Sequence, residues 1–214
     1  YVSFRTASLD CAEADSTTLH TDTISGASAT TTYNIPVNNF YRNTFSQQLI
    51  LSSEIGAGTI NAISFQYNYS TASTLKTNCS IYLAETALNT LSTSNYVRPS
   101  DMTLVYVGPL NCTQGWNEFE FNISSFRYSD SANLVVTVID NSNNYNGSSY
   151  VFNAHSASGK AVSWYSDSAP WANNAPTSTH SFRNNMRLRM MDCIELASCA
   201  EPPVTVTAVN PTEV

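Results

Sequence analysis

Positive charge is scarce in this chain: 9 of its 214 residues are Lys or Arg against 16 Asp or Glu, giving a formal charge of -7. A surface so poor in cations cannot neutralise a run of phosphates, so nucleic acid is excluded as a partner. No stretch approaches the roughly 18 consecutive apolar residues of a membrane span, which excludes membrane insertion by a helix. The chain opens on Tyr1-Val2-Ser3 with neither an initiating Met nor a basic leader, and reads as a processed or excised piece of a longer protein. Three histidines, His20, His155 and His180, are dispersed, and no GxSxG, HExxH or Gly-rich strand-to-helix loop occurs. Hydrolytic chemistry therefore lacks its usual groups, and a non-enzymatic role is expected. None of the five cysteines (11, 79, 112, 193 and 199) has CxxC spacing, which removes a structural zinc or thioredoxin-type site.

What the chain has instead is 30 Ser, 24 Thr and 23 Asn, with 12 Tyr, 9 Phe and 3 Trp. The aromatic content is far above that of a disordered segment, so a packed core is expected. Five Asn-X-Ser/Thr sequons (Asn68, Asn78, Asn111, Asn122 and Asn146) and the Lys-poor polar surface suit an extracytoplasmic, secreted or cell-surface setting. Cys79 and Cys112 read either as bridge partners or as small buried hydrophobes. The odd number of cysteines requires one free thiol or an external partner.

Nearly every apolar segment has period two. Ile63, Phe65, Tyr67 and Tyr69 share one face while Ser64, Gln66, Asn68 and Ser70 share the other, as a half-buried antiparallel strand requires. Leu49 and Leu51 alternate likewise, as do Cys79, Ile81 and Leu83, then Val105 and Val107, then Phe119, Phe121 and Ile123. In Met186–Met190 the apolar side chains alternate with Arg187 and Arg189. Residues 134–139 are apolar on both parities apart from Thr137, which predicts a central strand covered on both faces. Turn-forming clusters at 54–58, 107–115, 140–149, 156–160 and 166–181 separate these runs. The pattern predicts an all-β, two-sheet antiparallel β-sandwich of jelly-roll type with about eight to ten strands. The sandwich is expected over residues 33–192. Residues 1–32 read as a terminal strand and polar linker, and residues 193–214 as a linker with a possible first strand of a following domain.

The run YNIPVNNFYRNTFSQQLILSSEIGAGTINAISFQYN, followed by NCSIYLAET, GWNEFEF, NLVVTVIDNSN, FNAHSASGKAVSWYSDS and SFRNNMRLRM, resembles a β-sandwich module of secreted bacterial surface proteins. That module is related to the cleaved-adhesin domains and alternates with fibronectin-III-like domains. The resemblance covers about residues 30–192. It implies a jelly-roll adhesin or carbohydrate-binding unit at a cell surface, with neighbouring domains of the same parent chain as partners. Where the family has apolar residues this chain has Cys79 and Cys112, which implies an added disulfide between them; Cys193 with Cys199, or with Cys11, is a second pairing. Asp140 matches an acidic position after the buried strand, whereas Asn141 replaces a second acidic residue.

Three sets of residues remain as candidates for function. Calcium takes six to eight oxygen ligands, and Asp140, Asn141 and Asn143 with Asp167 offer them; side-chain-capped turns are the competing reading. A glycan would be held by aromatic rings with polar company, for which Tyr41, Arg42, Tyr145, Trp164, Tyr165 and Trp171 qualify. Trp164 and Tyr165 are consecutive on a strand, so one points inward and one outward. Glu118 and Glu120 lie on one strand face and read as solvated rather than as an acid and base couple. The function expected is a non-catalytic module contacting glycan or host surface protein through rim loops. The alternatives are a structural spacer that adds its terminal strands to a neighbour, and an accessory domain of a secreted hydrolase.

Overall fold

The period-two segments become strands in a computed structural model, which describes residues 17–193. Twelve strands follow in order: β1 (Thr17–Ile24), β2 (Ala29–Thr32), β3 (Asn43–Ile50), β4 (Gly58–Tyr67), β5 (Cys79–Thr86), β6 (Thr103–Gly108), β7 (Gly115–Glu120), β8 (Phe126–Tyr128), β9 (Asn133–Asp140), β10 (Phe152–Ser166), β11 (Ser178–Asn184) and β12 (Met186–Cys193). Among the described residues there is no α-helix. The fold is all-β, and every pairing is antiparallel.

The hydrogen-bonded order is β1-β12-β4-β10-β3-β9-β5-β6, with β7 and β8 added to β4 and β2 and β11 added to β10. A single residue pair, Tyr67 with Phe152, joins β4 to β10. The sheet folds over at that pair and its halves face each other. Ile63 and Phe65 of β4 and Leu188 of β12 pack in one cluster with Ile81 of β5 and Val136 of β9. Burial of each such side chain contributes about 1.5–3 kcal/mol. A second cluster lies on the other side of β9 and β3, where Phe45, Leu49, Val135, Ile139 and Val162 are covered by Leu91 of the loop between β5 and β6. The doubly apolar run 134–139 is thus buried on both faces, as its sequence requires.

Two expectations are changed. Residues 17–32 belong to the body: β1 pairs along its whole length with β12, and β2 pairs with β10. Nor are Cys79 and Cys112 bridged; both are free and buried. Cys112 lies outside the strands, its backbone bridging Ser73 instead of a neighbour of β5. The Cys79 sulfur sits 3.7 Å from the Lys76 carbonyl and from Asp140 Oδ1, and the Cys112 sulfur 3.7 Å from the Leu110 carbonyl. Both therefore act as small core hydrophobes. Burial, then the Asp140 charge, push the Cys79 thiol well up, and burial pushes Cys112 up to about 12. Cys11 and Cys199 lie outside the described residues, and Cys193 closes β12.

Candidate binding rim

The loops at one end of the sandwich are held by a buried ion pair. Lys76 and Asp140 are both fully buried, with Nζ 2.7 Å from Oδ2. The ammonium also donates to the carbonyls of Tyr41 (2.8 Å) and Asn144 (2.9 Å), while Asp140 Oδ1 accepts from the Ser142 N–H (2.9 Å). One lysine thus ties the loop before β3 to the loop after β9. Three acceptors satisfy its three N–H groups, the condition under which a charge is tolerated in a core.

The residues named as calcium ligands are engaged as follows. The cation facing Asp140 is Lys76. Asn141 is committed to Trp171, accepting from its N–H (2.7 Å) and donating to its carbonyl (3.4 Å). Asp167 Oδ1 accepts the Arg42 N–H (3.1 Å), and Asn143 is exposed at a left-handed φ of 54°. Among the described residues no group of three His, Cys, Asp or Glu is placed to hold a metal ion.

Above the ion pair runs a ridge of rings drawn from separate loops. Tyr41 stacks on Tyr165 with centroids 3.8 Å apart and planes at 24°. Phe40 meets Tyr41 edge-on at 5.5 Å, and Tyr33 follows at 6.4 Å from Phe40. Phe40 is 49% exposed and Tyr165 38%. The Tyr165 hydroxyl, then burial, raise the pKa of Tyr41. Tyr145, half exposed, stands on the loop whose Asn146 and Gly147 N–H groups both donate to the Asn39 carbonyl. Tyr41, Tyr145 and Tyr165 are therefore brought to one rim, with Arg42 beside them. Tyr33 and Phe40 escaped the sequence reading, although the consecutive aromatics of NNFYRN were a usable signal.

Trp164 and Trp171 face the other way. Trp164 packs on the second cluster, so of the consecutive pair only Tyr165 is outward. Trp171 stacks on Phe45 with centroids 5.1 Å apart and planes at 14°. Beside it opens a cavity of about 310 Å³, walled by Tyr96, Arg98 and Pro99 from one loop and Trp171, Asn173 and Ala175 from another. Both walls are fastened by side-chain amides. Gln47 of β3 accepts the Val97 N–H (2.8 Å) and donates to the Val97 carbonyl (2.8 Å), and Asn141 binds Trp171 in the same reciprocal manner.

No assembled catalytic group emerges among the described residues. His180 Nε2 lies 2.8 Å from Ser163 Oγ, but Ser163 is only 1% exposed and no carboxylate hydrogen-bonds that imidazole. Burial lowers the pKa of His180, keeping it neutral. Glu118 and Glu120 are both taken by Arg189, at 2.7 and 2.8 Å. His155 is buried between Asn185 and Arg183.

No family model matches the chain, and no curated protein does. Among solved structures, the chain is similar to a clostridial cysteine protease, Cwp84, after propeptide cleavage, at 13% identity and a TM-score of 0.45 over 83% of this chain and 40% of that one. It is also similar to the cysteine protease and lectin-like domains of Cwp84, described as a surface layer associated protein of Clostridium difficile, at 10% identity and a TM-score of 0.44 over 79% of this chain and 37% of that one. The chain spans about two fifths of the length of these structures.

Proposed function

We propose that this chain is a non-catalytic binding module of a secreted or cell-surface protein, and that it contacts glycan through the aromatic ridge at its rim. The observation that carries the reading is the Tyr41–Tyr165 stack, continued by exposed Phe40 and Tyr33 and fastened from below by the Lys76–Asp140 pair. An exposed row of rings costs free energy in water unless something covers it. Sugar rings offer apolar C–H faces to such a row, while the exposed Asn143 and Asn144 of the 140–147 loop supply amide donors and acceptors for hydroxyls. The bacterial setting follows the sequence resemblance. The spacer reading concerns the two ends, most of which lie outside the described residues, and the hydrolase-accessory reading concerns the catalytic unit of a parent protein.

A glycan array probed with the parent chain and with Phe40→Ala and Tyr165→Ala tests the ridge. Loss of one stacking ring is expected to weaken a bound glycan about tenfold. Undiminished signal for both variants, on glycans that the parent binds, would remove the ridge from recognition.

A further inference from the structure

The cavity beside Trp171 is separate from the ridge, and we infer that it is a second binding site, selective for a pyranose bearing a carboxylate, such as a uronic acid unit. Its volume of about 310 Å³ stands at the small end of ligand pockets, which begin at roughly 300 Å³, and suits one sugar ring. One wall is the Trp171 indole, immobilised because Phe45 stacks against it and Asn141 grips its backbone. The opposite wall, Tyr96 to Ser100, is held by Gln47 through Val97. Both walls are therefore in place before a ligand arrives, which lowers the entropy cost of binding.

Charge narrows the ligand class. The chain carries a formal charge of -7, and most of its described cations are already engaged. Lys76, Arg183 and Arg189 pair with carboxylates; Lys160 donates to the Asn89 carbonyl, and Arg187 lies over the Trp116 ring. Arg98, like Arg42 beside the ridge, is exposed with a guanidinium that has no hydrogen bond or ion pair among the described residues, and of the two it is Arg98 that lines the cavity. A free guanidinium beside an indole matches a ring with one apolar face and one carboxylate, since arginine receives a carboxylate through paired N–H groups. A single cation does not match the several phosphate charges of a nucleotide. The Tyr96 hydroxyl and the Asn173 amide, also without partners among the described residues, remain for sugar hydroxyls.

Titration with methyl glucuronide and methyl glucoside, followed by amide chemical shifts, is the test. The glucuronide is expected to bind about tenfold tighter, with shifts at residues 96–100 and 171–175. Arg98→Gln, an exposed substitution that leaves the fold intact, should bring the glucuronide down to the level of the glucoside. Tyr165→Ala should leave the preference unchanged, so a failure of the ridge reading is seen separately on the array. Equal affinity for the two sugars, an Arg98→Gln variant that keeps the preference, or shifts confined to the ridge would overturn the assignment.

Discussion

Lys76 is the residue on which the rim depends, because removing either member of a fully buried pair strands the other charge in a medium that solvates it poorly. Lys76→Met is expected to lower the unfolding free energy by about 3–5 kcal/mol, measured by urea denaturation, since Asp140 is then left uncompensated. Adding Asp140→Leu should recover much of that loss, because two apolar side chains replace a pair that had given up its hydration. A single variant as stable as the parent would mean that the pair is not desolvated. Asp140 was legible in the sequence as a carboxylate facing a cation, but the identity of the cation was not, since Lys76 is remote in sequence. The partner of Asn141 was hidden for the same reason: Trp171 is brought to it only by the packing of a distant loop on Phe45. The cysteines supply a second check at this scale. With Cys112 raised to about 12 and Cys79 also pushed up by burial, both stay protonated and covered at pH 8. Neither should be alkylated by iodoacetamide in the native protein, both should react in denaturant, and a peptide map without reductant should show no link between them.

At the scale of strands, β4, β5, β7, β9 and β12 were readable because each shows a hydrophobic face or is hydrophobic throughout. β3 was half hidden. It is buried on every position, yet Asn43, Thr44, Ser46, Gln47 and Gln48 are polar and become interior only by hydrogen bonding. Gln48 exchanges bonds with Asn184, and Gln47 ties the Val97 loop to the sheet. β1 and β2 were hidden because TTLHTDTI and ATTT are rich in threonine and read as linker. Gln47→Ala should cost about 1–3 kcal/mol, as the Val97 groups lose a partner, and should abolish the glucuronide preference by loosening one wall of the cavity. Where β3 meets the turn at 52–54, Arg183 reaches Glu54 at 2.6 Å and stands 3.2 Å from His155. Burial alone would raise Glu54, but the Arg183 hydrogen bond, the Leu51 N–H and the guanidinium charge more than offset it, so its pKa is lowered. Burial lowers His155, and the nearby Arg183 charge adds to this against the opposing Asn185 hydrogen bond. Glu54, His155 and His180 each have a folded pKa below the unfolded value, so each favours the fold at neutral pH. The histidines lose their contribution as pH falls below about 6.5, and Glu54 as pH falls below about 4.5. Tm should therefore fall from pH 7.5 to 5.5 and again to 3.5, and a Tm that rises on the first step would contradict the burial of the two imidazoles.

Among the described residues the main hydrogen-bonded path of the sheet ends at β1 and at β6, and the two ends are treated differently. At β6 the Asn122 side chain accepts the Val107 N–H and donates to the Val107 carbonyl, the Ile123 N–H donates to the Val105 carbonyl, and Ser124 Oγ donates to the Leu104 carbonyl. That edge is closed by the protein's own chain, as natural sheets close edges that would otherwise recruit a stranger's strand. At the opposite end β1 supplies the cover for β12, pairing Thr17 with Cys193 through to Ile24 with Met186, and Ile24 enters the core at 2% exposure. If β1 is an integral strand, a chain beginning at residue 25 leaves the β12 edge bare, where Met186, Leu188 and Met190 alternate with Arg187 and Arg189. Such a chain should be less stable in urea and should elute on size exclusion at a larger apparent mass than the parent, because the exposed backbone pairs with a second copy. A chain beginning at residue 17 should match the parent in both measurements. The comparison separates the two roles open to these residues: a linker could be cut without consequence, whereas a strand that completes the sheet cannot, and unchanged elution and stability on removing residues 1–24 would return the boundary of the module to residue 33.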